Sequence, residues 1–209
     1  LFGGQHEYDS EIREDATYHY DGTNWFLQSL DPRPLGRQEA GMAYDAIRQS
    51  IVVFGGLGYT GSTYDYFNDT WELTFGETGW TERYPANPPS ERYRHAMATL
   101  QTKVILWGGT TSGGYEATPG PYMYDGNKWT FIGTSVKPNP RVSTAMVYFP
   151  PRRSIILFGG YSSPSDKNET WEFTFESSWP DENCTNGVDD DGDFATDCAD
   201  PDCETHPSC

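Results

Sequence analysis

Four times in this chain an apolar run ends in two glycines. The copies are Leu1-Phe2-Gly3-Gly4, Val52-Val53-Phe54-Gly55-Gly56, Ile105-Leu106-Trp107-Gly108-Gly109 and Ile156-Leu157-Phe158-Gly159-Gly160. Their first glycines stand at 3, 55, 108 and 159, in steps of 52, 53 and 51. A period near fifty residues means a repeat architecture, in which each unit is one supersecondary piece that buries its apolar face against its neighbour. This constrains the fold far more than the function.

Other residues keep the same phase. Upstream of the last three doublets an arginine precedes a methionine by five residues: Arg37/Met42, Arg92/Met97 and Arg141/Met146. Downstream come aromatic runs, Tyr18-His19-Tyr20-Asp21, Asp69-Thr70-Trp71-Glu72-Leu73, Tyr122-Met123-Tyr124-Asp125 and Glu169-Thr170-Trp171-Glu172-Phe173. Each unit then closes on a tryptophan, Trp25, Trp80, Trp129 or Trp179. Alternation such as Trp71-Glu72-Leu73-Thr74-Phe75 predicts strands with one face inward. The continuous run Ser50-Ile51-Val52-Val53-Phe54 predicts a strand covered on both faces. The doublet is expected to end that strand, because glycine admits positive φ and close backbone approach. No helix-length apolar stripe at 3.6 spacing occurs, and 15 prolines and 22 glycines cut the chain into short pieces.

The order of arginine, small-Met-small, apolar run with Gly-Gly, Asp/Glu-Thr-Trp and closing tryptophan resembles the kelch repeat. The resemblance covers residues 1–180 and implies an all-β fold of kelch-type β-propeller blades, one four-stranded sheet each. Four units are visible and the first is incomplete. Residues 181–209 form a second region, a short, irregular, disulfide-stapled tail. The chain opens on the end of a strand with no Arg…Met segment before it, and nothing after Trp179 supplies one. The preferred reading is a fragment of a larger propeller. In the alternative, a neighbouring copy covers the open blade edge, which would otherwise pair promiscuously.

The formal net charge is −17, of which residues 181–209 carry −10 with no Lys or Arg. No basic stripe exists to displace phosphate counterions, so nucleic acid is not an expected partner. No run is long enough to span a membrane, and membrane insertion is not expected. No secretory signal opens the chain.

All four cysteines lie in the tail: Cys184, Cys198, Cys203 and Cys209. A short acidic segment without an apolar core needs staples to order it, and an even cysteine count reads as two disulfides in an oxidising compartment. Of the three pairings, Cys184–Cys198 with Cys203–Cys209 closes the shortest loops. A thiolate metal site fits less well, because no Cys-x2-Cys pair is present. Counting Asp189 as position one, Asp191, Asp193, Ala195, Asp197 and Asp200 fall at positions three, five, seven, nine and twelve. These are the oxygen-ligand positions of a twelve-residue calcium loop, with the Ala195 carbonyl at seven. Phe194 stands where a helix-flanked hand has glycine, Asp200 replaces the usual glutamate, and no amphipathic helix flanks the loop. The segment resembles thrombospondin type 3 repeats and, more closely, the Asp-rich cysteine modules of large bacterial surface proteins. That resemblance implies bound Ca2+ and an extracellular or cell-surface location; the plain alternative is a solvated acidic linker.

No catalytic constellation is present: no Ser-His-Asp order, phosphate loop or His-Glu-x-x-His. The copper chemistry of galactose oxidase, a kelch-type enzyme, needs a Tyr–Cys cross-link, and these blades have no cysteine. The Ser-x-Asp-x-Gly-x-Thr-Trp box of sialidase-like propellers is absent as well. His19 and His95 fall within strands. The Tyr-Asp-Gly of 20–22 and 124–126 reads as a turn. Loops after the doublets, residues 57–66 and 110–116, are rich in Tyr, Ser, Thr and Gly, a composition that suits recognition of protein or carbohydrate. Asn68, Asn168 and Asn183 head Asn-x-Thr triplets, acceptor sites in a secreted chain. The expected function is a non-enzymatic extracellular binding or structural module: a surface protein, adhesin or fibril component. The alternative is the non-catalytic part of a secreted enzyme, carbohydrate-active enzymes included, with its catalytic residues outside this chain.

Overall fold

The computed structural model of the chain describes residues 1–4, 14–59, 63–100, 103–111, 120–133 and 137–174, with 184–185, 198 and 207–208 from the tail. It is built of antiparallel sheets in the order of the repeats. In unit one, β1 (Thr17–Tyr20) and β2 (Trp25–Gln28) form a hairpin. Phe2 bridges to Thr17, so Leu1-Phe2 runs along the free edge of β1.

Unit two contains β3 (Arg37–Gln38), β4 (Gly41–Asp45), β5 (Ser50–Tyr59), β6 (Tyr64–Thr74) and β7 (Thr81–Arg83). The sheet runs β4-β5-β6-β7, with β3 paired to the far end of β5. Unit three comprises β8 (Tyr93–Leu100), β9 (Lys103–Thr110), β10 (Tyr122–Tyr124) and β11 (Trp129–Phe131), paired in that sequence. Unit four has β12 (Ala145–Phe149), β13 (Ser154–Phe158) and β16 (Thr170–Thr174) in one sheet, with β14 (Tyr161–Ser162) and β15 (Ser165–Asp166) as a small hairpin. The Tyr-Asp-Gly segments are turns as expected. The Asp21 carboxylate accepts from the Thr23 and Asn24 amides, and Asp125 does the same for Asn127 and Lys128. Each turn carries a glycine at positive φ, Gly22 or Gly126.

Burial alternates along β4: Gly41, Ala43 and Asp45 are covered while Met42 and Tyr44 are exposed. The covered face, Ala43, Val52 and Phe54, packs on Met97, Val104, Leu106, Tyr124 and Trp129 of unit three. Ala98, Leu100 and Ile105 of unit three pack in the same way against Ile155 and Met146 of unit four. Each unit thus offers one face to the next and takes its predecessor on the other.

The doublets are the crossing points. Their glycines have positive φ in all four copies. A Cβ on Gly3 or Gly55 would lie 2.5 or 2.6 Å from the carbonyl oxygen of Arg37 or Arg92 in the following unit, and Gly108 is crowded equally by Arg141. The amides of Gly4, Gly56 and Gly109 donate to those same carbonyls at 2.8, 2.8 and 3.1 Å. No side chain fits there, so the second unit can approach only a glycine backbone. In one respect the structure corrects the sequence reading. The doublet does not end the strand in units two and three. β5 runs through it to Tyr59 with a bulge between Phe54 and Gly56, and β9 runs on to Thr110. Positive φ is accommodated as a bulge while pairing continues on the far side.

Candidate interaction surface

The three repeat arginines, Arg37, Arg92 and Arg141, are 1% exposed. Arg37, Arg92 and Arg141 each donate through Nη1 to the first glycine carbonyl of their own doublet, Gly55, Gly108 or Gly159, at 2.9–3.1 Å. Each Nε reaches the carbonyl two residues earlier. A buried guanidinium also needs an anion. Arg37 finds Asp69 through two hydrogen bonds of 2.6 and 2.8 Å, and Arg141 finds Glu169 at 2.8 Å. The same carboxylates accept the indole N–H of Trp71 and Trp171, which explains why Asp/Glu-Thr-Trp recurs. Bonding to Trp171 and Arg141 holds the Glu169 carboxyl below its usual range.

Unit three departs from this pattern. Its equivalent of Asp69 is Gly120, two residues before the Tyr122 that pairs with Leu106. Among the described residues no carboxylate is bonded to Arg92, whose Nη2 donates to the Ser90 hydroxyl. Burial lowers its pKa to about 10, partly opposed by Tyr122, whose ring lies 5.1 Å away.

Beyond the Arg37 clamp, β5 and β6 continue as a paired hairpin: Leu57 opposes Tyr66, Gly58 opposes Asp65 and Tyr59 opposes Tyr64. The sequence reading took residues 57–66 for a loop, but strand pairing carries most of that segment. This rigid ribbon displays tyrosines. Tyr59 and Tyr64 stack edge-on at 5.4 Å, and Tyr66 meets Tyr93 of unit three, also at 5.4 Å. The Arg94 guanidinium lies 5.4 Å from the Tyr93 ring and pairs with Glu39 at 3.0 Å. Below them Arg37 covers the Phe67 ring at 4.2 Å. Two units thus join at one end of the blades in a surface of aromatic rings and one bridged cation, held on paired strands. Tyr and Arg are enriched at the energetic centres of protein interfaces, and Tyr brings large, amphipathic contact area at low ordering cost.

The other candidates separate from this surface. His95, in β8, is buried; its Nε2 accepts from the Gly41 amide at 3.0 Å, which ties unit three to unit two. Burial drives its pKa down to about 3, helped by Arg92. It is a neutral packing residue, as expected of a strand histidine. His19 lies in β1. At the opposite end of the blades sits a cluster that the sequence did not reveal. Buried Glu72 accepts from Arg83 at 2.8 Å and from the Tyr124 hydroxyl of unit three at 2.9 Å, with Arg48 bonded to Asp45 beside it. These residues lie too far apart in sequence to read as a group.

Asn68 is exposed within β6, and Asn168 is exposed just before β16. Asn183 lies outside the described residues, as do Asp189, Asp191, Asp193, Ala195, Asp197, Asp200, Cys203 and Cys209. Cys184 and Cys198 are disulfide-bonded. No cluster of three metal-ligating side chains occurs among the described residues.

Paired blades, each clamped through an arginine and a glycine doublet, define an all-β protein of kelch type. The chain belongs to the kelch-repeat family: the KLHDC2/KLHL20/DRC7 Kelch-repeats domain matches residues 1–187. It is 29% identical to the dynein alpha chain of the flagellar outer arm of Chlamydomonas reinhardtii, over 73% of this chain and 4% of that protein. It is also 29% identical to human kelch domain-containing protein 10 and 27% identical to that of Xenopus laevis, over 66% of this chain in both cases. The chain spans about a third of those two relatives' length.

Proposed function

We propose that this chain is a non-enzymatic protein-binding module, and that the tyrosine-bearing end of units two and three takes the partner. The observation that carries this reading is the prolonged β5–β6 hairpin, which sets Tyr59, Tyr64 and Tyr66 beside Tyr93 and Arg94 on paired backbone. The kelch membership supports an interaction role. The test is selection of peptides on the whole chain from a displayed random library. Binding of the selected peptides should fall at least tenfold in Tyr64→Ala/Tyr66→Ala, and equal binding would reject the surface.

The module is extracellular or at a cell surface, as part of an adhesin or fibril, with a tail ordered by one Ca2+ through Asp189, Asp191, Asp193, Asp197 and Asp200 and the Ala195 carbonyl. The spacing of the aspartates and their mutual repulsion without a cation support this. The absence of Lys and Arg from residues 181–209 adds to that repulsion. Calorimetric titration of calcium into the whole chain should show one site that is lost in Asp191→Asn/Asp193→Asn. No binding heat at millimolar calcium would leave an acidic linker instead.

A further inference from the structure

Unit three carries the repeat arginine without the carboxylate that goes with it in units two and four. Arg37 is bonded to Asp69 and Arg141 to Glu169. By strand register Tyr122, opposite Leu106, corresponds to Trp71, opposite Val53, which puts Gly120 where Asp69 stands. The groups bonded to Arg92 among the described residues are all neutral. Its Nε donates to the Ser90 carbonyl at 3.0 Å, its Nη1 to the Gly108 carbonyl at 3.1 Å and its Nη2 to the Ser90 hydroxyl at 3.2 Å. A guanidinium has five N–H groups, so these bonds leave one on each terminal nitrogen. On Arg37 both terminal nitrogens give an N–H to the Asp69 carboxylate.

A guanidinium buried to 1% exposure is costly without a compensating charge. The Tyr122 ring, 5.1 Å away, offsets part of that cost but brings no formal charge. Gly120 and Pro121 are buried as well, which favours a small ion over a partner's side chain as the source of the charge. The backbone of Gly120 leaves room for added atoms. A Cβ there would meet its nearest neighbours at 3.4 Å, an ordinary contact, and Gly120 is not one of the glycines at positive φ.

We propose that unit three holds a small monovalent anion, with chloride as the representative ion, against the two terminal nitrogens of Arg92 beside Gly120. The ion takes the part that the Asp69 carboxylate plays in unit two. It braces two junctions at once, because the Arg92 carbonyl accepts from the Gly56 amide of unit two while its Nη1 holds Gly108. The net charge of −17 repels anions at long range, so the affinity is modest. The contact itself is buried and is little weakened by screening.

Thermal unfolding of the whole chain at constant ionic strength, with chloride exchanged for gluconate, is the test. Gluconate is too bulky for the place beside Gly120. At about 200 mM chloride the melting temperature should be higher by about 2 °C or more. Gly120→Asp returns the carboxylate to the chain, so this variant should melt higher than wild type in gluconate and should not respond to chloride. Chlorine magnetic resonance of the wild type needs no variant: the chloride line should broaden on adding the protein and narrow when bromide competes. Equal melting in the two salts with no broadening would overturn the proposal. So would a chloride response that folded Gly120→Asp retains. Glu116 is the one acidic residue between β9 and β10. Stability that falls in Glu116→Gln and ignores chloride would put the counter-charge on the chain itself, and would overturn the proposal as well. None of these readings depends on peptide binding at the tyrosine surface.

Discussion

The glycines of the doublets are fixed by what approaches them. Gly108 has φ +72, and an added Cβ would fall within van der Waals contact of the Arg141 carbonyl oxygen. Backbone oxygen cannot swing aside as a side chain can. Gly108→Val should therefore cost on the order of 3 kcal/mol or more, from positive-φ strain plus the clash. Gly133, in open space with nothing within 4 Å, is the control. Chemical denaturation should show a large loss for Gly108→Val and little for Gly133→Ala; equal losses would mean that the doublet is an ordinary turn. His95 makes a second prediction at this scale. Its folded pKa, about 3, lies below the ordinary 6.5. As pH falls below 6.5 the unfolded chain binds a proton that the buried imidazole refuses, so stability falls, by up to about 1.4 kcal/mol per pH unit. The stability contribution is therefore whole above 6.5 and is lost toward 3. His95→Gln keeps an acceptor for the Gly41 amide and cannot titrate. Between pH 6.5 and 5, where carboxylates change little, the variant should show a flatter stability profile than wild type. Parallel profiles would show that His95 is not the source of the slope.

Strands were legible in the sequence where pattern alone decides them. The run at 50–54 lies in β5, and the alternation from Trp71 lies in β6 as far as Thr74, though the face that is buried is that of Thr70 and Glu72 while Phe75 is exposed beyond the strand. Asp21 and Asp125 make the expected turns. What the sequence hid was the continuation of β5 past its glycines. A glycine pair reads as a stop because each residue separately favours a turn, but the bulge spends both positive-φ positions without breaking the ladder. The roles of the repeating residues were hidden too. Arg37, Asp69 and Trp71 are visible as phase markers, but only folding brings the guanidinium between Gly55 and Asp69. The bonds from Trp80 to Thr17 and from Trp129 to Thr70 span 63 and 59 residues, and the Glu72–Tyr124 bond spans 52. Separations near one repeat length are the signature of contact between consecutive units, which a list of local motifs cannot display. The tyrosines were legible as composition and became a surface only when the hairpin paired them.

At the scale of the molecule, the doublets of units one, two and three meet the next unit's arginine, and units one and two each offer a threonine to the next unit's tryptophan. This bracing lies behind one end of the blades, the far half of the β5–β6 hairpin and its neighbours in unit three. The proposed recognition uses that end because paired strands lose little entropy when they are covered. The most direct measurement is amide hydrogen exchange of the whole chain with and without a peptide selected on it. The account predicts protection over residues 57–66 and 92–94. Protection confined to the opposite ends of the same strands, residues 46–49, 75–80 and 125–128, would contradict it.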